Sequence, residues 1–179
     1  MLTIDSDAHV IETPQTFSFM SAADSKYAPV LVLGSGGDRE TKKVPDHWLL
    51  ERKVIIRENV MRDIDESSRE MANVDARLKH MDELKVDVQV LYPTIFLRPL
   101  TERAAAATAL AKSYNRWLGQ IWERGKGRLR WVAIPTLYEM DKLRDELTWA
   151  KDHGACGIFL NALECDRLLT DPYFHPLYR

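Results

Sequence analysis

Asp7-Ala8-His9 brings together the residue types best suited to chemistry in this chain. It lies in Leu2-Thr3-Ile4-Asp5-Ser6-Asp7-Ala8-His9-Val10-Ile11-Glu12-Thr13-Pro14. The apolar start, Leu2 and Ile4, reads as a buried strand that runs into acidic residues and a histidine, and Thr13-Pro14 breaks it. Strand side chains alternate between faces, so Asp5, Asp7 and His9 are expected on one side. A carboxylate and an imidazole two positions apart at a strand exit can grip one divalent cation together. The same triplet also fits a solvated strand end, and spacing alone leaves both readings open.

The elements that must position this pair alternate along the chain. A long irregular stretch, 17–68, follows the first strand. Within it Gly34-Ser35-Gly36-Gly37-Asp38 reads as a turn and, with no Gly-Lys-Ser/Thr after it, not as a phosphate loop. His47-Trp48-Leu49-Leu50 and Val54-Ile55-Ile56 read as a small hairpin. Placed just after Asp7 and His9, the insertion suits a lid or pocket wall; a peripheral subdomain is the other reading. Ser67 or Ser68 is expected to cap a helix whose apolar positions are Met71, Val74, Leu78, Met81 and Leu84, with Lys85 closing it. A strand over 86–93 follows, then Arg98 in the loop beyond.

Thr101 is expected to cap a helix over 102–124, whose face of Leu110, Tyr114, Trp117, Leu118, Ile121 and Trp122 faces a core. A strand over 129–135, a helix over 140–153 ended by Gly154, and a strand over 155–161 come next. Another helix is expected to begin at 171–179. Strand, insertion, helix, strand, helix, strand, helix, strand calls for a parallel α/β sheet with right-handed crossovers. Two closures satisfy that order: an open doubly wound sheet of four strands, or a partial (β/α)8 TIM-type barrel of about four βα units. No glycine-rich dinucleotide fingerprint follows the first strand, which disfavours a nucleotide-binding version. In either closure ligands belong at the carboxyl ends of the strands, which carry Asp7 and His9, then Tyr92 and Arg98, then Pro135, then Asn161.

The 179 residues suffice for one domain, 1–179, with a sizeable core. A net charge of −2 and a pI near 6.2 give no reason to expect nucleic acid or an anionic membrane as partner. Cys156 and Cys165 do not form a disulfide framework or zinc knuckle; Cys156, in an apolar strand, is expected to be buried. With neither a leader-like start nor an apolar run of spanning length, the expected location is cytoplasmic.

Four stretches carry a family resemblance: Asp5-Ser6-Asp7-Ala8-His9-Val10-Ile11-Glu12; Arg77-Leu78 with Met81-Asp82-Glu83-Leu84 and Val86-Asp87-Val88-Gln89-Val90-Leu91-Tyr92-Pro93-Thr94; Tyr114-Asn115-Arg116-Trp117-Leu118; and Leu169-Thr170-Asp171-Pro172-Tyr173-Phe174-His175-Pro176-Leu177. In this order they resemble the N-terminal half of the amidohydrolase superfamily, in the branch of aminocarboxymuconate-semialdehyde decarboxylase and related aromatic-acid decarboxylases. The resemblance implies a metal-dependent barrel whose first strand supplies Asp7 and His9 as ligands. Such an oxygen–nitrogen pair suits zinc or manganese. It also implies later histidine ligands and a catalytic aspartate on strands that 1–179 does not contain. His175 precedes the fifth strand, and His47, His80 and His153 lie in the insertion or on helices, so none of them replaces these.

The chain is therefore expected to be a truncated member with little or no turnover alone. The intact homologue would be a carboxy-lyase acting on an aromatic or unsaturated carboxylic acid, with Arg98 pairing with the substrate carboxylate and Tyr92 and Asn161 in the pocket. The alternatives are a metal-dependent hydrolase of a lactone, amide or ester, and a non-catalytic fragment that forms a homo-oligomer by packing its open edges.

Overall fold

The computed structural model describes residues 1–34, 44–58 and 64–178. Beyond Gly34, the expected glycine-rich turn lies outside the described residues. The strands in chain order are β1 (Ile4–His9), β2 (Val30–Val32), β3 (His47–Leu50), β4 (Lys53–Ile56), β5 (Val88–Tyr92), β6 (Leu129–Ala133), β7 (Ala155–Ile158), β8 (Leu163–Glu164) and β9 (Arg167–Leu168). The α-helices are α1 (Glu66–Arg69), α2 (Val74–Glu83), α3 (Ala104–Arg124) and α4 (Leu143–Asp152), and a 3-10 helix spans Pro172–Tyr178. No described helix is long and apolar enough to cross a membrane.

The main sheet has the order β1-β5-β6-β7, and every neighbouring pair is parallel. Each strand is added beside the last, with no reversal of direction. A doubly wound sheet has such a reversal, whereas a barrel winds one way only. This order therefore separates the two closures that the sequence left open, in favour of a partial barrel. β5 shows why its register is fixed: Gln89 and Leu91 are buried, while Val88, Val90 and Tyr92 are half-buried. Leu91, Leu129 and Trp131 of the sheet join Tyr114, Leu118 and Ile121 of α3 and Met81 of α2 in one core.

The single helix expected from Ser67 to Lys85 is two helices. Asp65 caps α1, accepting from the Ser68 amide at 3.2 Å, and Asn73 caps α2, accepting from the Ala76 amide at 3.0 Å. Between them Met71 takes a φ of +57°, which no helix interior allows. The break turns Met71 itself into the core, whereas Leu84, expected in the apolar stripe, is exposed. Lys85, at φ +56°, ends α2. Thr101 does not cap α3 directly; it accepts from the Arg103 amide at 3.1 Å, one turn residue ahead of the helix, and donates to Glu51.

The insertion contains the expected hairpin, β3 with β4, and also β2, which makes a three-stranded antiparallel sheet. Trp48 and Leu50 point from it into the core, where the Phe17 ring meets Trp48 edge-on at 5.6 Å. Cys156, expected to be buried, is exposed. β7 is the last strand of the described sheet, so Cys156 lacks the flanking strand that would cover it.

Gly154 ends α4 with a φ of +93°, and a Cβ there would stand 2.2 Å from Trp122 Cδ1. Gly154→Ala is therefore expected to lose about 3 kcal/mol, from backbone strain and displacement of the indole together. Urea unfolding checks this; a loss below about 1 kcal/mol would show that Trp122 yields freely.

Candidate functional site

The end of β1 does not keep the simple alternation. Asp5 pairs with Gln89 and Ala8 with Leu91, three steps on β1 against two on β5, which is a bulge. Because of the extra residue, Asp5 shares a face with buried Ala8, and His9 falls on the opposite face. The expectation that Asp5, Asp7 and His9 lie on one side is corrected accordingly. Asp5 accepts from the Gln89 side-chain amide at 2.9 Å, and Gln89 in turn accepts from buried Arg77 Nε at 2.7 Å. Arg77 also donates to the backbone carbonyl of His9 at 3.3 Å, so this network braces the strand end from behind. Burial lowers the Arg77 guanidinium to about 10, against the pull of Asp5.

On the other face, His9 Nδ1 lies 3.0 Å from the Pro93 carbonyl. A carbonyl only accepts, so Nδ1 carries the ring proton and Nε2 of the neutral ring presents a lone pair. Nε2 stands 3.7 Å from Asp7 Oδ1. Two donors bound to one tetrahedral ion at about 2.1 Å each would be roughly 3.4 Å apart, so the pair fits as two ligands of a single ion. Asp7 is largely exposed and His9 three-quarters buried, which leaves the remaining positions of such an ion facing outward. The Tyr92 ring flanks His9 at 6.1 Å. Among the described residues no group of three or more His, Cys, Asp or Glu side chains is placed to hold a metal ion.

Just past the pair, Glu12 is buried and accepts from the amides of Thr94 and Ile95, each at 3.0 Å. Burial pushes its carboxyl up to about 7 in spite of those amides and Arg57. Arg57, from the insertion, donates to the Glu12 carbonyl at 3.3 Å and pairs with Glu70 and, at 3.6 Å, with Asp46. The 93–95 turn that supplies the acceptor for His9 is thus held by Glu12. The sequence gives one signal for this residue, an acid directly after the apolar Val10-Ile11.

Arg98 and Asn161 are elsewhere. Both line a cavity of about 330 Å³ beyond the carboxyl ends of β6 and β7, whose lining includes none of Asp7, His9 and Tyr92. Arg98 is exposed and lies 3.6 Å from Glu58. Asn161 donates to Glu164 from its backbone amide at 2.7 Å and from its side chain at 3.0 Å. Tyr138 and Cys165, which sequence reasoning did not single out, lie together on the cavity wall. Burial first, then Cys165, raises the Tyr138 hydroxyl to about 12.

The sequence matches no protein-family model and no curated protein. The fold does resemble solved structures. An amidohydrolase of Mycobacterium avium subsp. paratuberculosis K-10 superposes with a TM-score of 0.72 at 17% identity, over 99% of this chain and 55% of the other. The IDCase of Metarhizium anisopliae, in apo form, gives 0.58 at 15% identity, over 99% of this chain and 47% of the other. The chain thus spans about half the length of each of these structures. Taken with the one-way order of its four parallel strands, this likeness gives the chain the fold of part of a (β/α)8 TIM-type barrel.

Proposed function

We propose that Asp7 and His9 are two ligands of a divalent metal site, zinc or manganese, of an amidohydrolase-type enzyme. The observation that carries this reading is the hydrogen bond from His9 Nδ1 to the Pro93 carbonyl. It fixes the tautomer that leaves Nε2 free beside Asp7, the orientation that outer partners impose on metal-binding histidines. The likeness of the fold to an amidohydrolase supports the same reading. A bound ion there would supply Lewis acidity toward a substrate oxygen. Asp7 and His9 hold it, Arg77 fixes the His9 backbone, and Tyr92 walls the ring. In an intact homologue the remaining ligands and the acid–base groups would come from later strands.

For the whole protein we propose non-oxidative decarboxylation of an aromatic or unsaturated carboxylic acid. The acidic first ligand, Asp7, favours it over the second reading, metal-dependent opening of a lactone, amide or ester. Release of carbon dioxide from a hydroxybenzoate-type acid, against ring opening of a lactone, distinguishes the two.

The metal site is tested without turnover. Titration of the chain with Mn2+ or Zn2+, followed by calorimetry, is expected to give one weak site per chain. Asp7→Ala and His9→Ala should each weaken it at least about tenfold. Binding unchanged in both variants would sink the assignment.

A further inference from the structure

We propose that the outer face of the β2-β3-β4 sheet is the surface on which a second copy of this chain docks, face to face about a two-fold axis. This goes beyond the metal-site reading and does not depend on it. The strand register lays two rows of side chains across that face. Val30 stands opposite Leu49 and Leu49 opposite Val54; Val32 stands opposite His47 and His47 opposite Ile56. Five of these six are aliphatic, and all five are exposed, from 41% at Leu49 to 66% at Val54. The inner face, with Leu31, Trp48, Leu50 and Ile55, already packs against the core. An antiparallel sheet with one face in water alternates apolar and polar side chains, whereas this one is apolar on both faces. A contiguous apolar surface of this kind marks a contact site.

Charge, area and position make a second copy the occupant. The two rows hold no carboxylate, ammonium or guanidinium, so the face offers nothing to a nucleic acid, an anionic membrane or a charged peptide. Against its own image it meets no like charge, and a two-fold axis pairs it with itself. The five aliphatic side chains expose roughly 500 Å², so two copies bury about 1,000 Å² together, the lower end of specific interfaces. The sheet is moored to the body of the chain through its inner side, where Lys53 also donates to the Leu100 carbonyl at 3.3 Å. The outer face therefore points away from the barrel strands, and it is not one of their two free edges, β1 and β7.

Sedimentation velocity of the chain from about 2 to 400 µM tests the proposal. A monomer–dimer equilibrium with a Kd of about 10–100 µM is expected from a face of this size. Val54 and Ile56 are exposed on the edge strand β4, so the double variant V54K/I56K should fold, which its thermal unfolding checks. It should weaken dimerisation at least about tenfold, because it sets like charges against each other across the two-fold axis. V30T/V54T keeps the shape and strand preference of both side chains and serves if the lysine variant is unstable; it should weaken the dimer about threefold or more. I158K, at the open β7 edge, should leave the Kd within about twofold. Three results would each overturn the proposal: a monomer throughout the range, a dimer undiminished in whichever of the two sheet variants folds, or a dimer lost in I158K, which would place the contact at the barrel edge.

Discussion

Replacing Glu12 by alanine is expected to destabilise the fold by about 4 kcal/mol at pH 5 but by only about 1 kcal/mol at pH 8. The first figure comes from the two amides. Thr94 and Ile95 both donate to the Glu12 carboxyl, and alanine leaves two buried N–H groups without acceptors. Each such loss costs about 1–3 kcal/mol. The pH dependence comes from linkage. Burial raises the Glu12 carboxyl from 4.5 to about 7 in the folded chain. Between those values the folded state holds a proton that the unfolded chain has released, so stability is fully present below pH 4.5 and falls as pH rises through 7. A displacement of that size corresponds to roughly 3 kcal/mol, which the alanine variant no longer loses on going to high pH.

Arg57 and the buried Tyr114 hydroxyl are the titratable groups that act with Glu12. Both remain in the variant, so the difference between the two proteins isolates Glu12. Urea unfolding of both at pH 5, 6, 7 and 8 measures it. A difference that does not change with pH would show that the buried group is ionised throughout.

How much of this was legible before the structure depends on the range of the forces involved. The alternation of strands and helices was, because apolar periodicity is a local property: the strands around Val90, Val132 and Ile158 and the face of α3 fall where their sequence places them. The direction of winding was not, since four βα units satisfy either closure until strand order is known. Boundaries failed where one residue takes an unusual backbone. Nothing in Met71 announces a left-handed φ, although Asn73 is a cap signal that marks the true start of α2.

The candidate site divides in the same way. Asp7 and His9 stand out by type and spacing, but the Pro93 carbonyl that orients His9 is 84 residues away. Asp5 was misplaced because a bulge depends on the register with β5 and not on β1 alone. Glu12 and Arg77 are charged residues whose burial is decided by partners on other elements, so pattern alone assigns them to a surface. Arg98 and Asn161 sit at strand ends as expected, yet they line a cavity that does not include the metal pair, because strand ends around a barrel mouth need not face one point.

Arg77→Ala is expected to lose about 3–5 kcal/mol, and to loosen the Asp7–His9 end as it does so. Arg77 is 1% exposed, and its stem packs where water does not reach. Its Nε holds Gln89, Gln89 holds Asp5, and its second terminal nitrogen holds the His9 carbonyl. Removing the guanidinium leaves the Gln89 oxygen and the His9 carbonyl without that donor and leaves Asp5 without the charge that faces it. Arg77→Lys should recover less than half of the loss, since an ammonium cannot present the planar fork that reaches both acceptors.

A double-mutant cycle with Asp5→Ala separates packing from coupling. The two positions share one chain of hydrogen bonds, so the double variant should be more stable than the sum of the single losses implies by about 1 kcal/mol or more. Strict additivity would mean that Arg77 acts through its stem alone. The same variants report on the strand end. If Arg77 holds the His9 backbone in place, Arg77→Ala should weaken Mn2+ binding several-fold even where the protein is fully folded, and Gly154→Ala, at the end of α4 against Trp122, should leave it unchanged.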